Sequence, residues 1–215
     1  MAARGVLNTK LTFVHGWGFN ASVWKAIISY LPDCDISTVD LGFIRGSDMG
    51  EPELARGTVI IGHSLGVLWS LKHLPECPAA LISICGFDRF SPPVPGRNLE
   101  IMKRGLMKDH AAQLAYFWRS CGVSPVAEEA FLNRDGLSMG LDWLAQWDGR
   151  HELSELSCPV HALAAIDDEI VPEEMSRDTW GRNISAWSDG GGHGLPVTRP
   201  RWCAQQIRRV LKLDG

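Results

Sequence analysis

Short apolar runs alternate with helical patterns along most of the chain. "KLTFVHGWG" reads as a strand entering a Gly-rich turn, and residues 20 to 31 read as a helix capped by Asn20 or Ser22 and closed by Pro32. "DISTVDLG" is a second strand, and residues 43 to 56 form a polar loop with at most one turn of helix. "TVIIGHS", rich in β-branched residues, is a third strand, followed by a helix from Leu65 to about Leu74 and a fourth strand, "AALISICGF". The rhythm then stops. Residues 88 to 157 show only amphipathic helical stretches, broken at "SPPVPG", "CGVSP" and "NRDG". It resumes with the strand "CPVHALAAID", a helix over 172–181, the strand "NISAWS" and a final helix over 199–212. This predicts an α/β fold of about six mainly parallel strands flanked by helices, with a core of residues 1–87 and 158–215 and a helical insert at 88–157. An insert of that length inside a compact domain is usually functional.

At 215 residues, 45% hydrophobic and 21% charged, the composition suits a single globular domain able to bury roughly 70% of its unfolded surface without metal or disulfide staples. The net charge of −4 argues against a nucleic-acid partner. The six cysteines have no metal-type spacing, which favours reduced thiols. Neither a signal-peptide core nor a run of membrane-spanning length is evident, so the expected location is cytoplasmic and no membrane partner is expected.

The chemistry concentrates at predicted strand ends, where open α/β sheets bind ligands. In "GHSLG", residues 62–66, a serine stands between two glycines at a strand-to-helix turn, the geometry that raises a nucleophilic hydroxyl clear of the sheet. A serine hydroxyl needs a base and an orienting acid. Of the seven histidines, His193 lies in the Gly-rich loop "DGGGHGLP" between the last strand and the last helix, where a rigid scaffold can hold a base. His110 and His151 fall in the insert and His161 inside an apolar strand. The acid is expected in "DDEIVP": Asp167 and Asp168 both follow a strand end and point opposite ways, and Asp88 is a weaker competitor at the same edge. An oxyanion would be met by the backbone N–H of Leu65 and that of Trp17 in "HGWG", whose side chain could instead wall the acyl pocket; His15 is then a loop-ordering residue.

Taken together and in this order, "HGWG", "DLGF", "GHSLG", "DDEIVP" and "GGGH" resemble an α/β-hydrolase over almost the whole chain. Within that superfamily, "FVHGWGFNASVW" followed by "VDLGF" is similar to the pimeloyl-[acyl-carrier protein] methyl ester esterases of biotin synthesis. The resemblance implies a D-x-x-x-P pattern whose acid is Asp168, with Pro172, and a triad of Ser64, Asp168 and His193 with oxyanion donors Trp17 and Leu65. It also implies hydrolysis of the methyl ester of a pimeloyl chain on acyl-carrier protein, releasing methanol, with no metal or organic cofactor. Relative to that family, the first hairpin is expected to be absent or reduced, and the segment before the serine turn is shortened.

An acyl-carrier protein is acidic, so its docking surface should be basic. From Asp88 to Ser120, Arg89, Arg97, Lys103, Arg104, Lys108 and Arg119 face only Asp88, Glu100 and Asp109, a local excess of three positive charges. Arg97, Lys103, Arg104, Lys108 and Arg119 are therefore the candidate carrier-protein contacts, against the alternative of a merely solvated face. Leu99, Met102 and Leu106 fall on another helical face, suited to covering the sheet edge. Two roles are open to Trp143 and Trp147, and to Phe117 and Trp118: packing the insert onto the core, or lining a channel for an acyl chain. A general carboxylesterase or thioesterase with the same triad is the nearest alternative function, and a non-catalytic binding protein on the same scaffold is the alternative of another class.

Overall fold

The computed structural model describes residues 9–45, 53–90 and 99–213. Six strands form one sheet: β1 (Lys10–Val14), β2 (Asp35–Val39), β3 (Val59–His63), β4 (Ala80–Ile84), β5 (Val160–Ala165) and β6 (Ile184–Ser188). Their spatial order is β2-β1-β3-β4-β5-β6, and every pairing is parallel. The fully buried central strands β3 and β4 read as continuous apolar runs because helices cover both faces of such a sheet. The chain winds from β1 to β2 on one side and then returns to the other side of β1. The topological switch point therefore lies between the carboxyl ends of β1 and β3, where a crevice opens.

The expected helix over 20–31 is shorter and split. Asn20 caps it by accepting the Ser22 N–H at 3.1 Å, a 3-10 turn follows over Ala21–Trp24, and only α1 (Lys25–Ile28) is α-helical. The remaining core helices are α2 (Leu65–Lys72), α7 (Glu173–Trp180), α8 (Leu195–Thr198) and α9 (Pro200–Leu211). In α2 every residue from Leu65 to Leu71 is buried, so it lies wholly inside the molecule. By contrast, α9 presents a buried stripe of Cys203, Ala204 and Ile207 and a polar outer face. The expected final helix over 199–212 is thus α9, with the short α8 before it.

Between β4 and β5 the described chain is helical: α3 (Leu99–Lys108), α4 (His110–Ser120), α5 (Arg134–Gln146) and α6 (Arg150–Ser154), with a 3-10 turn at Glu129–Phe131. Asp109 and Asn133 cap α4 and α5 by accepting the N–H groups of Ala112 and Gly136. An isolated bridge from Ile44 to Leu132 ties the segment to the loop after β2. Two indoles pin it to the loop after β1: Trp17 Nε1–H donates to the Leu137 carbonyl, and Trp118 Nε1–H donates to the Gly18 carbonyl, each at 2.8 Å. Trp143 and Trp147 stack at 4.9 Å and pack against Phe43 and His73, respectively. Of the aromatic residues with two open roles, Trp118, Trp143 and Trp147 therefore pack, while Phe117 lines the cavity described below. The expectation of a reduced first hairpin falls on residues 1–8, outside the described residues.

Candidate active site

Ser64 closes β3 in a backbone conformation that side chains rarely adopt, φ 52° and ψ −125°. Such strain costs on the order of 1–3 kcal/mol and persists only where the surroundings enforce it. Here they do. The turn presses so closely on the end of β1 that a Cβ at Gly66 would stand 2.6 Å from the His15 carbonyl oxygen, and one at Gly62 would stand 2.9 Å from the Val67 backbone. The sequence G-x-S-x-G is thus a steric requirement of the turn. The Ser64 N–H donates to the Ile84 carbonyl at 3.1 Å, so the sheet register holds up to the serine itself.

The side chains of Ser64, His193 and Asp168 converge as one hydrogen-bonded chain. His193 Nε2 is 2.8 Å from Ser64 Oγ, and His193 Nδ1 is 2.9 Å from Asp168 Oδ2. All three are buried, with His193 wholly enclosed. The other Asp168 oxygen accepts the N–H groups of Ile170 and Val171 at 2.8 Å each. Burial alone would push the Asp168 carboxyl up, but His193 and these hydrogen bonds outweigh it and hold the group below the usual carboxylate range. The carboxylate therefore fixes Nδ1 as the protonated imidazole nitrogen and leaves Nε2 to accept the serine proton.

Asp167 does something else. Its two oxygens accept the N–H groups of Gly192 at 2.9 Å and Gly191 at 3.2 Å, pinning the Gly-rich loop that delivers His193. Asp88 does not approach His193: it bonds Thr179 at 3.4 Å and borders a separate polar pocket with Arg89 and Arg150. His161 bonds Ser185 at 2.9 Å, with burial lowering its pKa. His15 accepts the Leu41 N–H and donates to the Gly16 carbonyl, both at 2.9 Å, so it ties together the loops after β1 and β2.

A Cβ at Gly16 would stand 2.9 Å from Ser64 Cβ, which places the Trp17 loop against the serine. The Leu65 N–H opens α2 ahead of any intrahelical acceptor. Among the described residues neither the Trp17 nor the Leu65 N–H is engaged by a turn or loop acceptor. Above Ser64 lies a cavity of about 250 Å³, walled by Trp17, Phe87, Phe90, Met102, Phe117 and Leu144. Gln113, Ser120 and Glu169 bring polar groups into that apolar wall.

Two buried side chains at the site are not singled out by the sequence analysis. His63 Nε2–H donates to the His193 backbone carbonyl at 2.8 Å, and burial followed by the proximity of His193 pushes its pKa down to about 3, so it is neutral. Cys85 carries a positive φ of 49° after β4 and lies beside Asp168 and His193; burial drives its thiol pKa well up. The x position of G-x-S-x-G is the only clue that residue 63 must face the site; a backbone acceptor 130 residues away leaves none.

Of the candidate carrier-protein contacts, Lys103 Nζ is paired with Asp142 at 2.6 Å and with Glu100 at 3.7 Å. Arg104, Lys108 and Arg119 are exposed, and among the described residues they form no ion pair. Arg97 lies outside the described residues.

The sheet order, the strained serine turn and the three converging side chains define an α/β-hydrolase equipped for acyl transfer. The solved bromoperoxidase of Bacillus anthracis shares the fold, with a TM-score of 0.79 at 16% identity over 95% of this chain and 92% of that one. No protein-family profile matches the chain. A pimeloyl-[acyl-carrier protein] methyl ester esterase of Legionella pneumophila (strain Corby) is 30% identical, covering 75% of this chain and 77% of its own. One from Pectobacterium carotovorum is 26% identical over 94% of both chains. The chain belongs to the family of pimeloyl-[acyl-carrier protein] methyl ester esterases and is a carboxylesterase.

Proposed function

We propose that the protein hydrolyses the methyl ester at the end of a pimeloyl chain carried on acyl-carrier protein, a step in making the biotin precursor. The observation that carries this reading is the position of Ser64 Oγ, bonded to His193 at 2.8 Å beneath a largely apolar cavity of about 250 Å³. That cavity suits a methylene chain ending in a small ester.

In the reaction, Ser64 Oγ attacks the ester carbonyl carbon while His193 Nε2 takes the serine proton. Asp168 holds the resulting imidazolium. The oxyanion is met by the N–H groups of Trp17 and Leu65, each such donor typically worth about 3–4 kcal/mol of barrier. The tetrahedral adduct expels methoxide, which leaves as methanol with the proton from His193, and the acyl chain remains esterified to Ser64. His193 then deprotonates a water, which attacks the acyl carbonyl. Collapse returns the proton to Ser64 and frees a carboxylate on the carrier-bound chain.

Residues 88–157 act in this reading as a cap whose helices α3 to α5 supply the outer wall of the cavity. Arg104, Lys108 and Arg119 meet the acidic carrier at its rim: Arg104 stands one turn from the cavity-lining Ile101, and Arg119 stands one turn from Tyr116. A carrier-bound substrate calls for a cytoplasmic enzyme; among the described residues no helix is long and apolar enough to cross a membrane.

The test is incubation of purified protein with methyl pimeloyl-acyl-carrier protein, following release of methanol. Demethylation that is lost in Ser64→Ala supports the reading. Turnover of p-nitrophenyl esters with none of the carrier substrate would reject it in favour of a general esterase.

A further inference from the structure

We propose that Gln113 reads the second carbonyl of the substrate, the one that joins the pimeloyl chain to its carrier, and so selects dicarboxylic over simple acyl chains. The inference rests on the function proposed above and names a determinant of its specificity. Gln113, Tyr116, Phe117 and Ser120 recur at i, i+3, i+4 and i+7 of α4, and all four line the cavity. The helix has a clear direction relative to the chemistry. Its C-terminal end meets the catalytic loop, with the Cys121 carbonyl accepting the Gly194 N–H at 2.8 Å, and the Phe117 ring packs edge-on against Trp17 at 4.7 Å. Gln113 is one turn farther from that end, about 6 Å along the axis. The two carbonyl carbons of an extended pimeloyl chain are six C–C bonds apart, about 7–8 Å. That span is close to the spacing of Phe117 and Gln113 along α4, so a chain lying along this helix with its ester carbonyl at the Trp17 N–H brings its second carbonyl toward Gln113.

The carboxamide is available for such a bond. Among the described residues it makes no hydrogen bond, and it stands in a wall that is otherwise mostly apolar. Its place is kept by a glycine on the neighbouring helix. A Cβ at Gly105 of α3 would overlap Gln113 Oε1 and stand 2.9 Å from its Cδ, so only glycine at 105 lets the amide lie where it does. Glycine in a helix interior is otherwise unfavourable by roughly 1 kcal/mol relative to alanine, so this residue holds its place at some expense of helix stability.

Two variants and two small esters test the assignment without the carrier protein. Dimethyl pimelate carries the second carbonyl, and methyl heptanoate has the same chain length without it. The readout is the ratio of kcat/KM for the diester to that for the monoester. In Gln113→Leu the ratio is expected to fall about tenfold, the loss of one hydrogen bond. Gly105→Ala keeps the amide but displaces it, and its ratio should fall in the same direction while Tm holds or rises, so lost folding cannot be the cause. A ratio unaltered in both variants would overturn the role of Gln113, as would equal losses on the two esters. If wild-type protein hydrolysed neither ester nor the carrier substrate, the proposed function itself would fail.

Discussion

The strand ends and the helices above them are built to different rules. At the strand ends each member of the Ser64–His193–Asp168 chain is held more than once: Asp168 by two backbone N–H groups, His193 by Asp168 on its ring and His63 on its backbone, Ser64 by a turn with no room for a Cβ on either side. Across the cavity, α3 and α4 leave Ile101, Met107 and Tyr116 exposed, together with Arg104, Lys108 and Arg119. The proposed chemistry thus rests on the part of the fold that cannot shift without breaking the sheet. Recognition, in the proposed reading, rests on helices whose residues can change without disturbing it.

The largest expected effect falls on the rigid side. Ser64→Ala should lower kcat by about 10⁵-fold or more, because the nucleophile and its base act as a unit. The neighbouring acids sharpen the contrast within one dipeptide. Asp168→Asn should cost roughly 10⁴-fold in kcat by favouring the wrong imidazole tautomer. Asp167→Asn should cost about tenfold at most, since an amide oxygen can still accept from Gly191 and Gly192. Comparable losses in the two variants, measured by steady-state kinetics, would erase the distinction drawn between them.

Acid should act on the same rigid side. His63 has its pKa lowered from 6.5 to about 3, so between those values the folded chain binds fewer protons than the unfolded one, and stability declines as pH falls through that window. The loss by pH 4.5 is on the order of 2–3 kcal/mol. Asp168 adds a loss of the same sign lower down, as pH falls through its depressed folded value. Urea midpoints at pH 7 and 4.5 should therefore differ more in the wild type than in His63→Gln. At the joint between the two regions, Trp17→Phe removes the indole bond to Leu137 and should cost about 1–2 kcal/mol in urea unfolding. The smallest effect belongs to the outer helices: Arg104→Glu with Lys108→Glu should raise KM for the carrier-bound substrate several-fold, fading as salt is added.

What could be read from the sequence divides along the same line. A strand-end turn is a local event, so "GHSLG" and "DGGGHG" announce Ser64 and His193, and the β-branched and helical runs announce the six-stranded sheet. Asp168 and Asp167 have the same chemistry and adjacent numbers. Only the loop returning from β6 separates their partners, and the D-x-x-x-P resemblance had to choose between them. The helix expected over 20–31 was overestimated because its start is drawn into a tight 3-10 turn that buries Val23 and Trp24 under the sheet. The helices between β4 and β5 were legible as helices, but the jobs of their aromatic residues were not. Phe117 and Trp118 are neighbours in sequence, yet one faces the cavity and the other reaches the Gly18 carbonyl. That division is set by tertiary packing across a hundred residues.

In the proposed reaction Ser64 is a nucleophile activated by His193. The most direct measurement is peptide mass spectrometry after brief exposure to a fluorophosphonate. The expected result is one phosphonyl group per chain, on Ser64, with labelling slowed by orders of magnitude in His193→Ala. An unlabelled Ser64 in active protein, or labelling indifferent to the loss of His193, would contradict it.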